Sequence, residues 1–266
     1  MTAENAKSRN KTITTIVIVA IILVVALLAY RYFSEKTRLL NAGRYYTYGV
    51  NKFKESQGIP IDPADTSTTT TAQPTKPIDR EVALEAVDNF RQSVGFDNQR
   101  ADSWVGMAEV YTKLNEFEKT IEVLEEAAEV KYESVSNKVT VLTALGDAYF
   151  RVGRYEDAAK AYDNAIKASP KNPIVALAYS GKVLAKLESG DLSEVGQFTE
   201  WVRSGQELDS RAENQHIYHF ALGWTYEVRG RMDQALAEYK EAISYNDKYP
   251  RLLYRTALLE RSQGLF

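Results

Sequence analysis

The chain contains no cysteine and only two histidines, His216 and His219. Disulfides, iron–sulfur clusters, thiolate zinc sites and cysteine nucleophiles are therefore excluded. The histidines stand i and i+3, so one helix face could carry both, but no carboxylate constellation completes a ligand set. No metal and no cofactor are expected. Glycine-rich phosphate loops are also missing. The nearest approach, Tyr179-Ser180-Gly181-Lys182, lacks the upstream glycine and the Ser/Thr after the lysine, and no strand pattern precedes it, so it reads as a helix surface. With no nucleophile–base–acid constellation, the chain is not expected to be an enzyme.

A strong charge of one sign is missing only on average. The net charge of −3 over 266 residues hides a split: residues 1–57 carry nine Lys/Arg against three acids, and 58–266 carry 24 against 33. The acidic part would repel phosphates, so no nucleic acid partner is expected. Long apolar runs are absent except for one, ITTIVIVAIILVVALLAY at 13–30. Extended to Phe33 it measures about 31 Å as a helix, the thickness of a bilayer core. A transmembrane helix is expected over 13–33, after an N-terminal tail at 1–12, with Tyr30, Tyr32 and Phe33 at the interface. Against a cleaved signal peptide stand the long apolar core and the lack of an A-x-A site at Leu27-Leu28-Ala29. The basic residues of the two flanks almost balance. The short tail before one anchor favours a single-pass protein of a prokaryotic cytoplasmic membrane, with the large domain outside the cytoplasm.

Residues 34–57 read as a juxtamembrane helix. Residues 58–78 hold Pro60, Pro63, Pro74 and Pro77 with a Thr/Ser run at 66–71; such a segment buries little and reads as a flexible or polyproline-like loop. From 79 to 266 apolar residues recur three and four apart, the period of packed helices, so the chain is read as all-α. The pattern also repeats. Val139–Asn172 is a 34-residue unit whose positions 4, 7, 8, 11, 20, 24, 27 and 32 are Leu142, Leu145, Gly146, Tyr149, Ala158, Tyr162, Ala165 and Pro170. His216–Tyr249 matches with His219, Leu222, Gly223, Tyr226, Ala235, Tyr239 and Ala242. Ala101–Ser134 matches with Trp104, Met107, Ala108, Tyr111, Leu124 and Ala127, and departs at Thr120 and Tyr132. Gly153 and Gly230 share position 15. Residues 174–207 form a degenerate unit in which Gly181 and Leu184 serve the first helix and Gly196 interrupts the second. Residues 250–266 read as a lone capping helix with Leu253, Ala257 and Gly264 in register. Leu39, Ala42, Gly43 and Tyr46, taken with Ala86, Phe90, Ser93 and Asn98, fit one more unit split by the Pro/Thr loop.

These residues resemble the tetratricopeptide repeat. The resemblance covers most of residues 36–266. Taken with the apolar run at 13–33, the expected fold is one N-terminal transmembrane helix followed by an α-solenoid of about four to five such helical hairpins with a C-terminal capping helix. In that family the first helices line a concave groove and positions 2, 5, 9 and 12 point into it. Carried over, this implies partner binding by Asp102, Glu109, Asp147, Phe150, Phe220 and Trp224. The Lys/Asn clamp of chaperone-binding relatives is missing, which argues against a chaperone's acidic C-terminus as ligand. The expected function is a membrane-anchored interaction scaffold, an assembly factor or accessory subunit that holds a protein partner through a basic and apolar segment. The alternative is a structural subunit packed permanently on a larger membrane assembly of photosynthetic, respiratory or translocation type.

Overall fold

The computed structural model describes residues 3–61 and 73–264, without the side chains of 3–16 and 18. Among the described residues there are eleven α-helices and no strand: α1 Ala3–Ser56, α2 Arg80–Phe96, α3 Ala101–Lys113, α4 Phe117–Ala128, α5 Val135–Arg151, α6 Tyr155–Ala168, α7 Ala176–Ser189, α8 Val195–Leu208, α9 Gln215–Val228, α10 Met232–Tyr245 and α11 Pro250–Ser262. Successive pairs pack as hairpins, and each hairpin packs on the next. The result is an α-solenoid of five hairpins closed by α11.

Local chemistry dictates the hairpins. Three-residue turns join α3 to α4, α5 to α6 and α9 to α10. Their middle residues, Asn115, Gly153 and Gly230, have φ of 59°, 80° and 71°. That left-handed backbone is open to glycine and tolerated by asparagine. The next residue's N–H then donates back to the tyrosine at position 11: Glu116 to Tyr111, Arg154 to Tyr149 and Arg231 to Tyr226, each at 2.9 Å. The orphan carbonyls at the helix end are thereby satisfied.

Aromatic rings set the helix crossings. A Cβ on Gly146 would lie 2.6 Å from the Tyr162 ring, and one on Gly223 would lie 2.4 Å from the Tyr239 ring. Only a bare backbone admits a ring that close. The Tyr162 ring meets a second glycine, Gly181 of the following hairpin, in the same way. Where position 8 is Ala108, the facing residue is the slimmer Leu124, buried in the same cluster.

The first hairpin joins the end of α1 to α2. Tyr46, Val50 and Phe53 are buried with Ala83, Ala86, Val87 and Phe90. Ser93 Oγ donates to the Ala42 carbonyl at 2.8 Å, and the Asp79 N–H donates to the Ser56 carbonyl at 2.8 Å, so the two helices run antiparallel. The glycine on which Phe90 closes is Gly49, where a Cβ would lie 2.7 Å from the ring; at Gly43, placed there from the sequence pattern, a Cβ would meet only Arg100, at 3.9 Å. Residues 62–72 of the Pro/Thr segment lie outside the described residues. Its two ends are tied together, Thr75 N–H to the Gln57 carbonyl at 3.1 Å and Thr75 Oγ1 to the Gly58 carbonyl at 2.7 Å.

Two further expectations change. Gly196 does not interrupt a helix: it lies in the first turn of α8, with no atom near its missing Cβ. The close approach is made by Gly205, whose Cβ would lie 2.4 Å from the Ala176 carbonyl oxygen. The transmembrane span expected over 13–33 is not found: among the described residues no helix is long and apolar enough to cross a membrane. Of that stretch, the side chains of 13–16 and 18 lie outside the described residues. The described side chains from Val17 to Phe33 are exposed.

At the bend between α8 and α9, Asp209 is buried and accepts hydrogen bonds from Arg211, Asn214 and the Tyr218 hydroxyl. Burial pushes its carboxyl up, but the Arg211 guanidinium and the Asn214 amide outweigh burial and hold the pKa at about 2.

Three substitutions test this packing. Gly146→Ala should cost about 1–3 kcal/mol in urea unfolding, because the Tyr162 ring cannot retreat from Gly146 without meeting Gly181. Gly196→Ala, in a helix with open space, should stabilise by up to about 1 kcal/mol. Asp209 is held below the unfolded value, so its contribution is present above pH 4 and is lost as pH falls toward 2. Asp209→Asn should remove about 2 kcal/mol at pH 7 and flatten the acid limb of the stability–pH curve.

Candidate functional site

The first helices α3 and α5 lie side by side, and the end of α1 closes one flank of the space beside them. Together they enclose a cavity of about 430 Å³. Glu109, Thr112 and Lys113 of α3 and Ala144, Asp147 and Arg151 of α5 line it, with Phe53, Gln57, Ile59 and Pro74 on the flank. The cavity therefore combines two carboxylates, two cations and an apolar wall. Such a surface can grip an extended segment by its charged groups while burying an apolar side chain.

Asp147 is the best-defined group there. Its carboxylate opens to the groove and accepts from the Tyr162 hydroxyl at 2.6 Å. Tyr162 thus does two things: its ring closes on Gly146 and its hydroxyl orients a groove carboxylate. The mass of protein around Asp147 pushes its pKa up, while the Tyr162 hydroxyl and Arg151 pull it down; the upward push wins.

The six residues expected to bind a partner separate in the structure. Glu109 and Asp147 meet at this one cavity. Asp102 stands apart, exposed in the first turn of α3. Phe150 is half-buried, edge-on to Tyr155 at 5.4 Å and packed against two core clusters. Phe220 and Trp224 do not line an open groove; they are 1% and 6% exposed. The cause is α11 and the turn that leads into it. Tyr249 sets its edge on Phe220 at 5.2 Å, and Arg255 of α11 lies 3.6 Å above the Trp224 ring while bonding both Glu227 carboxylate oxygens at 3.1 Å. The groove positions of the last full hairpin have become interior.

Sequence reasoning missed Lys113 and Arg151. Both occupy position 13 of their units, one step past the last groove position, and that shared register was a usable signal. The contribution of Phe53, Ile59 and Pro74 had none, because it depends on how α1 returns against α3.

A second, larger cavity of about 1120 Å³ lies on another face between α4 and α6, floored by α5. Glu122, Glu126 and Glu129 stand on its α4 side and Lys160 and Lys167 on its α6 side. The Tyr149 hydroxyl donates to Glu125 at 2.5 Å there, and burial first, then Glu125, pushes that phenol up to about 12. The histidines do not share a site: His219 Nδ1 lies 2.7 Å from Glu238 and its ring stacks on Tyr245, while His216 meets Tyr249. Among the described residues no group of three or more His, Asp or Glu side chains could hold a metal ion. Lys182 lies within α7, paired with Asp163 at 2.7 Å and above the Trp201 ring.

Comparison with known proteins agrees with this geometry. A tetratricopeptide repeat family model matches residues 99–171, and a second matches 215–266. Among solved structures, BtubC from P. vanneervenii superposes with a TM-score of 0.54 at 16% identity, over 70% of this chain and 83% of that one. Cut9–Hcn1 of the APC/C superposes with a TM-score of 0.54 at 15% identity, over 68% of this chain and only 34% of that one. YrrB, described as a TPR protein with an unusual peptide-binding site, gives a TM-score of 0.49 at 14% identity, over 66% and 84%. No curated protein matches the chain. At these identities the likeness to solved structures is one of fold.

The bond from Tyr162 makes a testable link between scaffold and groove. Tyr162→Phe should raise the pKa of Asp147 further, read as a higher midpoint for its carboxyl carbon in an NMR titration. An unmoved midpoint would remove Tyr162 from the site's electrostatics.

Proposed function

The chain is a tetratricopeptide-repeat protein, and on that premise we propose that it is a membrane-anchored scaffold. In this reading it holds an extended segment of a protein partner in the cavity between α1, α3 and α5. The observation that carries the proposal is the meeting of Glu109 and Asp147 at one concave site whose opposite side is apolar. A basic side chain of the partner would face the two carboxylates, and a neighbouring apolar side chain would rest against Phe53 and Ile59. Lys113 and Arg151 would take the partner's carbonyls or acids and so limit which segments fit.

Support for the anchor is separate. The side chains from Val19 to Leu28 are all exposed around the whole circumference of α1. A helix that is apolar all round needs an apolar surrounding. In the proposed arrangement that surrounding is the bilayer of a prokaryotic cytoplasmic membrane, with the solenoid on its extracytoplasmic side. Anchoring would raise the effective concentration of the groove for partners in the same membrane, as an assembly factor requires.

Quantitative capture of partners from detergent-solubilised membranes tests the groove. Asp147→Lys should lower recovery at least tenfold with unchanged helicity, whereas Asp102→Lys, outside the cavity, should leave it intact. Equal losses, or none, would move binding to another surface. For the anchor, the chain should remain with membranes after an alkaline carbonate wash; its appearance in the wash would refute membrane insertion.

A further inference from the structure

The larger cavity, between α4 and α6, plays no part in the proposed groove. Helix α5 separates the two: it gives Leu142, Leu145 and Tyr149 to the larger cavity and Ala144, Asp147 and Arg151 to the smaller. Helices α4 and α6 each pack on α5 and have no comparable packing on one another. Helix α5 is thus the floor of a trough with α4 and α6 as its walls. Its volume of about 1120 Å³ exceeds the roughly 300–1,000 Å³ of small-molecule pockets. The occupant it fits is polypeptide.

The lining residues fall on one stripe of each helix. On α4 they are Glu122, Glu125, Glu126 and Glu129, at i, i+3, i+4 and i+7. On α5 they are Lys138, Leu142, Leu145 and Tyr149, at i, i+4, i+7 and i+11. On α6, Lys160, Ala161, Asn164, Lys167 and Ala168 keep the same step. Stripes of this period run along helix axes, so the trough is lengthwise and takes a further helix laid between its walls. One end is closed. There the Tyr149 hydroxyl donates to Glu125 at 2.5 Å, and Arg154 lies 4.3 Å over the Tyr149 ring and 2.8 Å from Asp157.

The two walls differ in the charge they leave over. On α6, Lys160 is paired with Asp157 at 3.6 Å and Lys167 with Asp163 at 2.5 Å. On α4, Glu125 is engaged by Tyr149, but Glu122, Glu126 and Glu129 are exposed and form no ion pair among the described residues. Lys138, at the end of the floor away from Tyr149, is exposed and likewise unpaired. Three free carboxylates along one wall therefore stand against one free ammonium. Between the walls, Leu142, Leu145 and Ala161 make an apolar floor, and the small Ala128 and Ala168 leave room above it. The acidic edge repels a phosphate backbone. Acidic edge and apolar floor together match a helix whose apolar stripe is flanked by a row of Lys or Arg.

We infer that the α4–α6 trough binds a basic amphipathic helix of a partner protein, its apolar stripe on Leu142 and Leu145 and its cations along Glu122, Glu126 and Glu129. This surface does not depend on the α1–α3–α5 cavity, and Asp147→Lys should leave it unchanged. The experiment uses the full-length chain in a non-ionic detergent. Because the chain has no cysteine, Lys171→Cys, at an exposed position just beyond the α6 wall, supplies a single thiol for a fluorophore. Three helix-stapled peptides carry a quencher. One has leucines at i, i+3, i+4 and i+7 with lysines along one flank; the second has glutamates in place of the lysines; the third has the first one's composition with leucines and lysines scattered round the helix. The first should quench at a concentration at least tenfold lower than either of the others. The triple reversal Glu122→Lys, Glu126→Lys and Glu129→Lys, all at exposed positions, should invert the order of the first two with helicity unchanged. Equal quenching by the first and third peptides would overturn the inference, since charge alone would then explain binding. An order that survives the reversal would overturn it too, by placing the peptide elsewhere. So would a dimer in sedimentation that the reversal dissociates, which would assign the trough to a second copy.

Discussion

The architecture rests on one contact: an aromatic ring on a second helix closing on a glycine of the first. It recurs as Phe90 on Gly49, Tyr162 on Gly146 and Tyr239 on Gly223. The glycine sacrifices helix propensity, and the ring recovers it by filling the space between backbones that would otherwise stand further apart. Phe90 and Tyr162 are each also pressed by a glycine of the following hairpin, Gly106 and Gly181. The same ring therefore fixes the crossing within a hairpin and the stacking between hairpins. In a quasi-one-dimensional array, where each unit touches only its neighbours, such shared contacts are how order passes along the chain.

Scaffold and candidate groove are consequently not separate sets of residues. Tyr162 is scaffold by its ring and groove by its hydroxyl, and Tyr239 does the same toward Glu227 at 2.5 Å. The two copies end differently because their next neighbours in the solenoid differ. Asp147 remains at an open concavity, while Glu227 is taken by Arg255 of α11 and covered. The tyrosine at one repeat position thus holds an open carboxylate in one unit and a covered one in the other, according to whether another helix lies over it.

That difference marks the limit of what could be read in advance. The helices, their hairpin pairing, the left-handed turns at Gly153 and Gly230 and the packing of Tyr162 and Tyr239 all arise from local periodicity, so they were legible. The convergence of Glu109 and Asp147 was legible through the family register. The burial of Phe220 and Trp224 was not, because it depends on α11 and Tyr249 arriving from later in the chain. Gly49 was passed over for Gly43 because the two helices of the first hairpin are separated by the Pro/Thr segment, and the register of such a pair is set by tertiary packing alone. Gly196 was read as a breaker because glycine in a helix is costly; in the first turn of α8 that cost is small.

The continuity of α1 has a geometric consequence. One helix of 54 residues runs from the apolar stretch to the contacts of Val50 and Phe53 with α2, with no break between them. Its two ends are thus locked in angular phase, since each residue advances the helix by about 100° and 1.5 Å. Whatever surrounds the exposed half fixes the compass bearing of the solenoid as well as its distance. Adding or removing one residue between 34 and 41 would swing the concave face through more than a quarter turn while shifting it by less than the width of an atom. Length variation in this short stretch is therefore a change of direction far more than a change of reach.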